Sequence, residues 1–182
     1  LANDGTLVLA DASADGYRET ARLAVTDTGT YTYPSFAGGR LFVRNTKEIG
    51  EFVSVFYRGD QQPVARGPEG DPVQILGYDD DEGLARLLAV VLANLVEEEH
   101  VPLEDIVVLT PSGTEKSRLR SRGRVDGYRL SESVEPGTVL ATSVHAFKGL
   151  ERPVVILAEL GDKHLEDLRQ YLYVGASRAR NH

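Results

Sequence analysis

Apolar residues fall along this chain in two rhythms, short continuous runs and longer stripes at helical spacing. Thr6–Ala10 (TLVLA), Arg40–Val43 (RLFV), Val73–Gly77 (VQILG), Ile106–Thr110 (IVVLT), Thr138–Ser143 and Val154–Leu160 are short runs, mostly rich in β-branched residues, and predict strands. Ile49, Phe52, Val53, Phe56 and Tyr57 recur with the period of a helix that should run to about Tyr57. The preceding Asn45-Thr46-Lys47-Glu48 reads as a capping box with Asn45 as N-cap. Leu84, Leu87, Leu88, Val91, Leu92, Leu95 and Val96 make a second, continuous stripe, with Asp79 as its cap and Glu82 closing another box. Leu165, Leu168, Leu172 and Ala176 mark a last helix. Between these elements, Ser13–Gly39 reads as loop with one short strand at most. Residues 58–72 read as a Gly/Pro loop, and Pro111–Gly127 as a polar, basic connection. Strands alternating with helices predict an α/β domain, a parallel sheet covered on both faces. Neither an internal repeat nor a low-complexity tract divides the chain, so residues 1–182 are expected to form one domain.

Composition narrows the class. The chain has 182 residues, 41% hydrophobic and 26% charged, as a soluble globular domain does. No apolar run reaches the roughly 18 residues that a membrane helix needs, so no membrane partner is expected. The opening LANDGTLVLADAS lacks the basic start of a signal peptide, which points to a cytoplasmic protein. Cysteine is absent, which excludes disulfides and thiolate metal sites, and the four histidines are too scattered for a zinc site. Methionine is absent even at position 1, so the chain is expected to be a fragment or a processed product. The net charge of −8 argues against a broad basic nucleic-acid surface and leaves room for a narrow channel.

The chemistry is concentrated in four short stretches. In Val139–Leu157, VLATSVHAFKGLERPVVIL, a strand ends at Thr142-Ser143 and a turn carries His145, Lys148 and Gly149 ahead of Glu151. This resembles motif V of the UvrD/Rep-like superfamily 1 helicases, T-x-H-x-x-K-G-L-E, with Ser143 in place of the Thr and Arg152 in place of the usual aromatic. Leu168–Arg180, LRQYLYVGASRAR, resembles motif VI through Arg169, Tyr173, Val174, Gly175, Ser177, Arg178 and Ala179, with Tyr171 where Leu is usual. Leu41–Ile49, LFVRNTKEI, resembles motif IV through Arg44, with Val43 where an adenine-stacking aromatic is usual. Leu7–Arg18 resembles motif III through Asp11, Tyr17 and Arg18, with Ala14 at the position of a γ-phosphate-sensing glutamine.

The resemblance implies a RecA-like fold of the P-loop NTPase type, the second motor domain of an ATP-dependent DNA helicase or translocase. Such a domain packs against a first RecA-like domain of the same protein, with ATP and Mg²⁺ between them and held mainly by the first. No G-x-x-x-x-G-K-[ST] occurs in this sequence, so the chain is expected to be inactive alone and to act in trans. By motif position the resemblance makes Arg44 and Arg178 arginine fingers, sets Glu151 on a ribose hydroxyl, and lets the Gly149 backbone approach phosphates. It turns Thr142, Ser143 and His145 toward single-stranded or partly duplex DNA, and Tyr17 toward a base. Larger relatives carry a 2B insertion before motif V; here it is absent or reduced to about 111–137. Within it, Lys116–Arg129 is either a solvated loop or the one local surface for phosphate contacts. Two other readings stay open: a degenerate domain serving as a structural or interaction module, motivated by Ala14 and Val43, and an RNA-directed helicase of the same superfamily.

Overall fold

The computed structural model describes residues 6–13, 16–24, 35–37, 40–42, 45–57, 68–161 and 165–180, the first four of these stretches as backbone strands. Its centre is β5 (Ile106–Thr110), every residue of which is buried. Parallel neighbours flank it, β8 (Val139–Ser143) on one side and β9 (Val154–Leu157) on the other. Beyond β8 lies β7 (Tyr128–Ser131), also parallel, and β6 (Arg124–Val125) closes that edge as an antiparallel hairpin with β7. The sheet order is therefore β6-β7-β8-β5-β9, mostly parallel.

Alternation along β5 sends its side chains to two separate cores. Ile106 and Val108 pack with Leu84, Leu88, Leu92 and Leu95, while Val107 and Leu109 pack with Leu140, Phe147 and Val174. Helix α2 (Asp81–Ala93) thus covers one face, and α4 (Leu165–Ala176) covers the other, with α1 (Lys47–Ser54) beside it. The expected α/β sheet with helices on both faces is present in this part of the chain. Gly175 sets how closely α4 lies on the sheet, because a Cβ there would sit 2.5 Å from a Leu157 methyl.

Several expectations are corrected. The stretch read as loop, Ser13–Gly39, holds β2 (Gly16–Ala24) and β3 (Ser35–Ala37): β2 forms an antiparallel hairpin, in a sheet of its own, with β1 (Thr6–Ser13), which contains the expected strand Thr6–Ala10, and β3 pairs with β4 (Arg40–Phe42), the strand expected at Arg40–Val43. In GYRETARLA, Tyr17, Ala21 and Leu23 fall at alternate positions, a strand signal that Glu19 interrupts. Val73–Gly77 forms no strand and joins no sheet among the described residues; Ile75 is 83% exposed. A β-branched run supplies propensity, but a strand also needs a neighbour for its N–H and C=O groups. The first helix ends at Ser54 rather than near Tyr57.

Both caps sit one residue later than the capping-box pattern places them. Thr46 caps α1, its hydroxyl 3.5 Å from the Ile49 N–H, and the Glu48 carboxylate accepts from the Gly70 N–H (2.7 Å) instead of closing a box. Asp80, not Asp79, caps α2 by accepting from the Gly83 N–H at 2.6 Å. Asp80→Ala should therefore cost about 1 kcal/mol, and Asp80→Asn much less, in urea unfolding. Equal midpoints for the Ala variant and wild type would remove the capping role.

The basic connection is ordered too. It contains α3 (Arg118–Arg122), capped by the Ser117 hydroxyl. Arg118 pairs with Asp81 and Arg122 with Glu82, which ties α3 to the first turn of α2. Arg122 holds the Glu82 carboxyl below the ordinary carboxylate range. Arg120 is buried, salt-bridged to Glu132 (3.1 Å) and donating to the Ser112 carbonyl. The stretch is thus not a solvated loop. Its three helical arginines are engaged within the domain, and Lys116, Arg124 and Arg129 are the cations left at its exposed positions.

Candidate functional site

The chain leaves the sheet at the C-terminal end of β8. Thr142, opposite Leu109, is buried, and Ser143, opposite Thr110, is half-buried. The Val144 N–H still donates to the Thr110 carbonyl (3.0 Å), so the ladder runs one residue beyond the strand. The chain then turns tightly. The Ser143 carbonyl accepts from the Phe147 N–H (3.0 Å), and its hydroxyl accepts from the Ala146 N–H (3.1 Å). Ser143 therefore acts as the cap of a single turn, the local role for which Ser and Thr are suited. Phe147, 1% exposed, drives its ring into the core under α4 and fixes that turn to the sheet. Gly149 follows at φ +83°, a left-handed conformation that any side chain would strain.

Past this turn the chain meets the end of α4. The Arg152 N–H donates to the Arg178 carbonyl (3.1 Å), and the Arg180 N–H donates to the Arg152 carbonyl (3.0 Å). These two bonds make a parallel bridge between Arg152 and Ala179. The Glu151 carboxylate lies 3.9 Å from Arg180 Nε. Asn45, at the start of α1, enters the same corner: its buried amide donates to the carbonyls of Ser177 (3.1 Å) and Ala179 (2.6 Å). Three separate stretches of the chain are joined here, two by main-chain hydrogen bonds and the third by the Asn45 side-chain amide.

Arg178 is only 1% exposed. Its Nε donates to the Val174 carbonyl (3.3 Å), one turn back along α4. Tyr173 and Tyr57 pack nearby with ring centroids 6.2 Å apart. Burial pushes the Tyr173 phenol up, Tyr57 adds to the shift, and the Arg178 charge opposes it.

Five of the sequence-derived residues, Thr142, Ser143, His145, Gly149 and Glu151, thus lie on one connection, and Arg178 is bonded to it through Arg152. His145 is exposed, its ring 5.9 Å from that of Tyr171. Tyr17 lies elsewhere in the topology, in β2 opposite Ala12 of the separate hairpin. Arg44 lies outside the described residues. Sequence reasoning missed Asn45 as a clamp, because its partners stand 132 and 134 residues away. It also missed Arg152 and Arg180, whose contacts are largely main-chain and leave no mark on composition. Among the described residues no His, Asp or Glu cluster is placed to hold a metal, and no helix is long and apolar enough to cross a membrane.

Residues 138–182 match the family model of the UvrD-like helicase C-terminal domain. The matched span covers β8, the turn through Gly149, β9 and α4, and so contains the whole corner except Asn45. No curated protein matches the chain.

Proposed function

We propose that this chain is the second, RecA-like motor domain of a UvrD/Rep-like helicase or translocase, which completes an ATPase site shared with a first motor domain and contacts a single nucleic-acid strand. The observation that carries the reading is the joined corner. The turn after β8 and the end of α4, both within the family match, are hydrogen-bonded through Arg152, Arg178 and Arg180. A mostly parallel sheet whose strand ends carry this turn is the architecture in which α/β proteins place ligands.

The residues fit a nucleotide edge-on. Gly149 leaves its backbone uncovered by a side chain where phosphates would approach, and the partly exposed Glu151 carboxylate suits a ribose hydroxyl. ATP, with Mg²⁺, supplies the phosphoryl bond that is cleaved. The Walker motifs would come from the first domain, since this sequence has none. Arg178, and Arg44 by its motif position, would answer charge on the transferred phosphoryl group. Because Arg178 is enclosed in this domain, docking of the first domain would have to open its surroundings before it met a phosphate. His145 and the end of β8 face the strand in this reading, and its exposure supports that.

The test is ATP turnover by this domain together with the Walker-bearing domain, with and without single-stranded DNA. Strand-stimulated turnover is expected. No turnover above background, with both domains folded, would sink the motor reading and favour a structural module. Stimulation by single-stranded RNA but not by DNA would assign the substrate to RNA.

A further inference from the structure

Asn45 carries a side chain well suited to an N-cap, yet Thr46 caps α1 and leaves the Asn45 amide to another use. That amide is buried, and its one nitrogen donates to two main-chain carbonyls, Ser177 at 3.1 Å and Ala179 at 2.6 Å. Both hydrogens of the NH₂ group are thereby committed. The two acceptors are the residues on either side of Arg178. Between them the Arg178 carbonyl accepts from the Arg152 N–H. Three successive carbonyls past the end of α4 are therefore each held by a partner outside that helix, and the two bonds from Asn45 bracket Arg178.

We infer that Asn45 is the positioning residue for Arg178: it fixes the main chain from which that side chain projects and ties it to the chain that carries Arg44. The inference rests on the proposal that Arg44 and Arg178 answer charge on the transferred phosphoryl group. Arg178 is enclosed in this domain, so its surroundings have to open before it meets a phosphate. A long side chain makes that change reproducibly only if its main chain stays in place. A chain end free to shift would spread the guanidinium over many placements, and catalysis is steep in position, with a misplacement of about 1 Å costing about 10²-fold. A tie that served packing alone could come from any neighbour at this corner. Here it comes from the residue that follows Arg44, so the chain that carries one arginine is hydrogen-bonded to the chain that carries the other.

The experiment is a double-mutant cycle on the two-domain protein, with Asn45→Ala and Arg178→Lys, read as strand-stimulated ATP turnover. Asn45→Ala should lower kcat by about 10- to 100-fold and leave KM for ATP nearly unchanged. In the Arg178→Lys background the guanidinium is already gone, and there the same change should alter residual turnover by less than about 2-fold. Thermal unfolding of each variant shows that folded proteins are being compared. A tie that only stabilises the domain would lower turnover equally in both backgrounds, and that result overturns the inference. Wild-type kcat in a folded Asn45→Ala protein overturns it too, while leaving Arg178 as the finger. If Arg178→Lys alone keeps wild-type kcat, the finger reading fails and this inference fails with it. Should Asn45→Ala fail to fold, Asn45→Ser, which keeps one donor of the two, enters the same cycle. A fall in kcat that is absent from the Arg178→Lys background supports the inference. No fall, or the same fall in both backgrounds, overturns it.

Discussion

Replacing Arg178 by lysine should lower strand-stimulated ATP turnover of the two-domain protein by about 10³–10⁵, the range for removal of an arginine finger. Lysine keeps the charge but loses the planar fork, so the comparison isolates geometry from charge. The fall should appear in kcat, with KM for ATP changed far less, because an interaction made only with developing charge does not hold the ground state. Arg178 is also an interior residue, one turn from Val174 and beside Tyr173. Stability must therefore be read on the same samples. Thermal unfolding should show Arg178→Lys still folded and somewhat less stable, since a lysine cannot reproduce the Nε contact to the Val174 carbonyl. Wild-type kcat in a folded Lys variant would remove Arg178 from the reaction and leave it a packing residue.

Phe147→Ala should cost about 3–5 kcal/mol, as full truncation of a buried aromatic does. A domain of this size has about 5–15 kcal/mol in total to lose, so this single change should take a large share of it. The loss should also be local. Phe147 is the side chain that pins the turn to the core, and without it the hydrogen bonds that define the turn lose their anchor. Amide exchange at Phe147 and Leu150 should therefore quicken beyond what the global loss of stability explains. Phe147→Leu, which keeps most of the apolar volume, should cost much less and leave those amides protected. Unchanged exchange at the turn in the Ala variant would show that the backbone alone holds it.

How much of this was legible in the sequence depends on how far each feature reaches. β5, β8, β9, α2 and α4 announce themselves through periodicity, because the apolar residues of each fall in one continuous run or stripe. The turn from Ser143 to Glu151 was legible because its residues are contiguous. Val73–Gly77 was misread because strand formation is a property of pairs, and only one member of the pair is in the run. The caps were misplaced by one residue for different reasons. Asn45 had a competing use 132 residues away, and in the Asp79–Asp81 run several carboxylates qualify equally by type. The basic stretch shows the same limit: its charge was visible, but Asp81 and Glu82 lie about 40 residues upstream. Burial of Arg178 is a packing outcome that a motif match does not encode.

The bonds around Arg152 have a mechanical meaning. The turn after β8, the end of α4 and the start of α1 are riveted at one corner by main-chain and amide hydrogen bonds of 2.6–3.1 Å. A push delivered at Arg178 would pass through the Arg152 bonds to the connection that carries His145 and would move the corner as one plate. If the domain grips nucleotide at one point and strand at another, its step length is set by how far the plate rocks, not by how its parts flex.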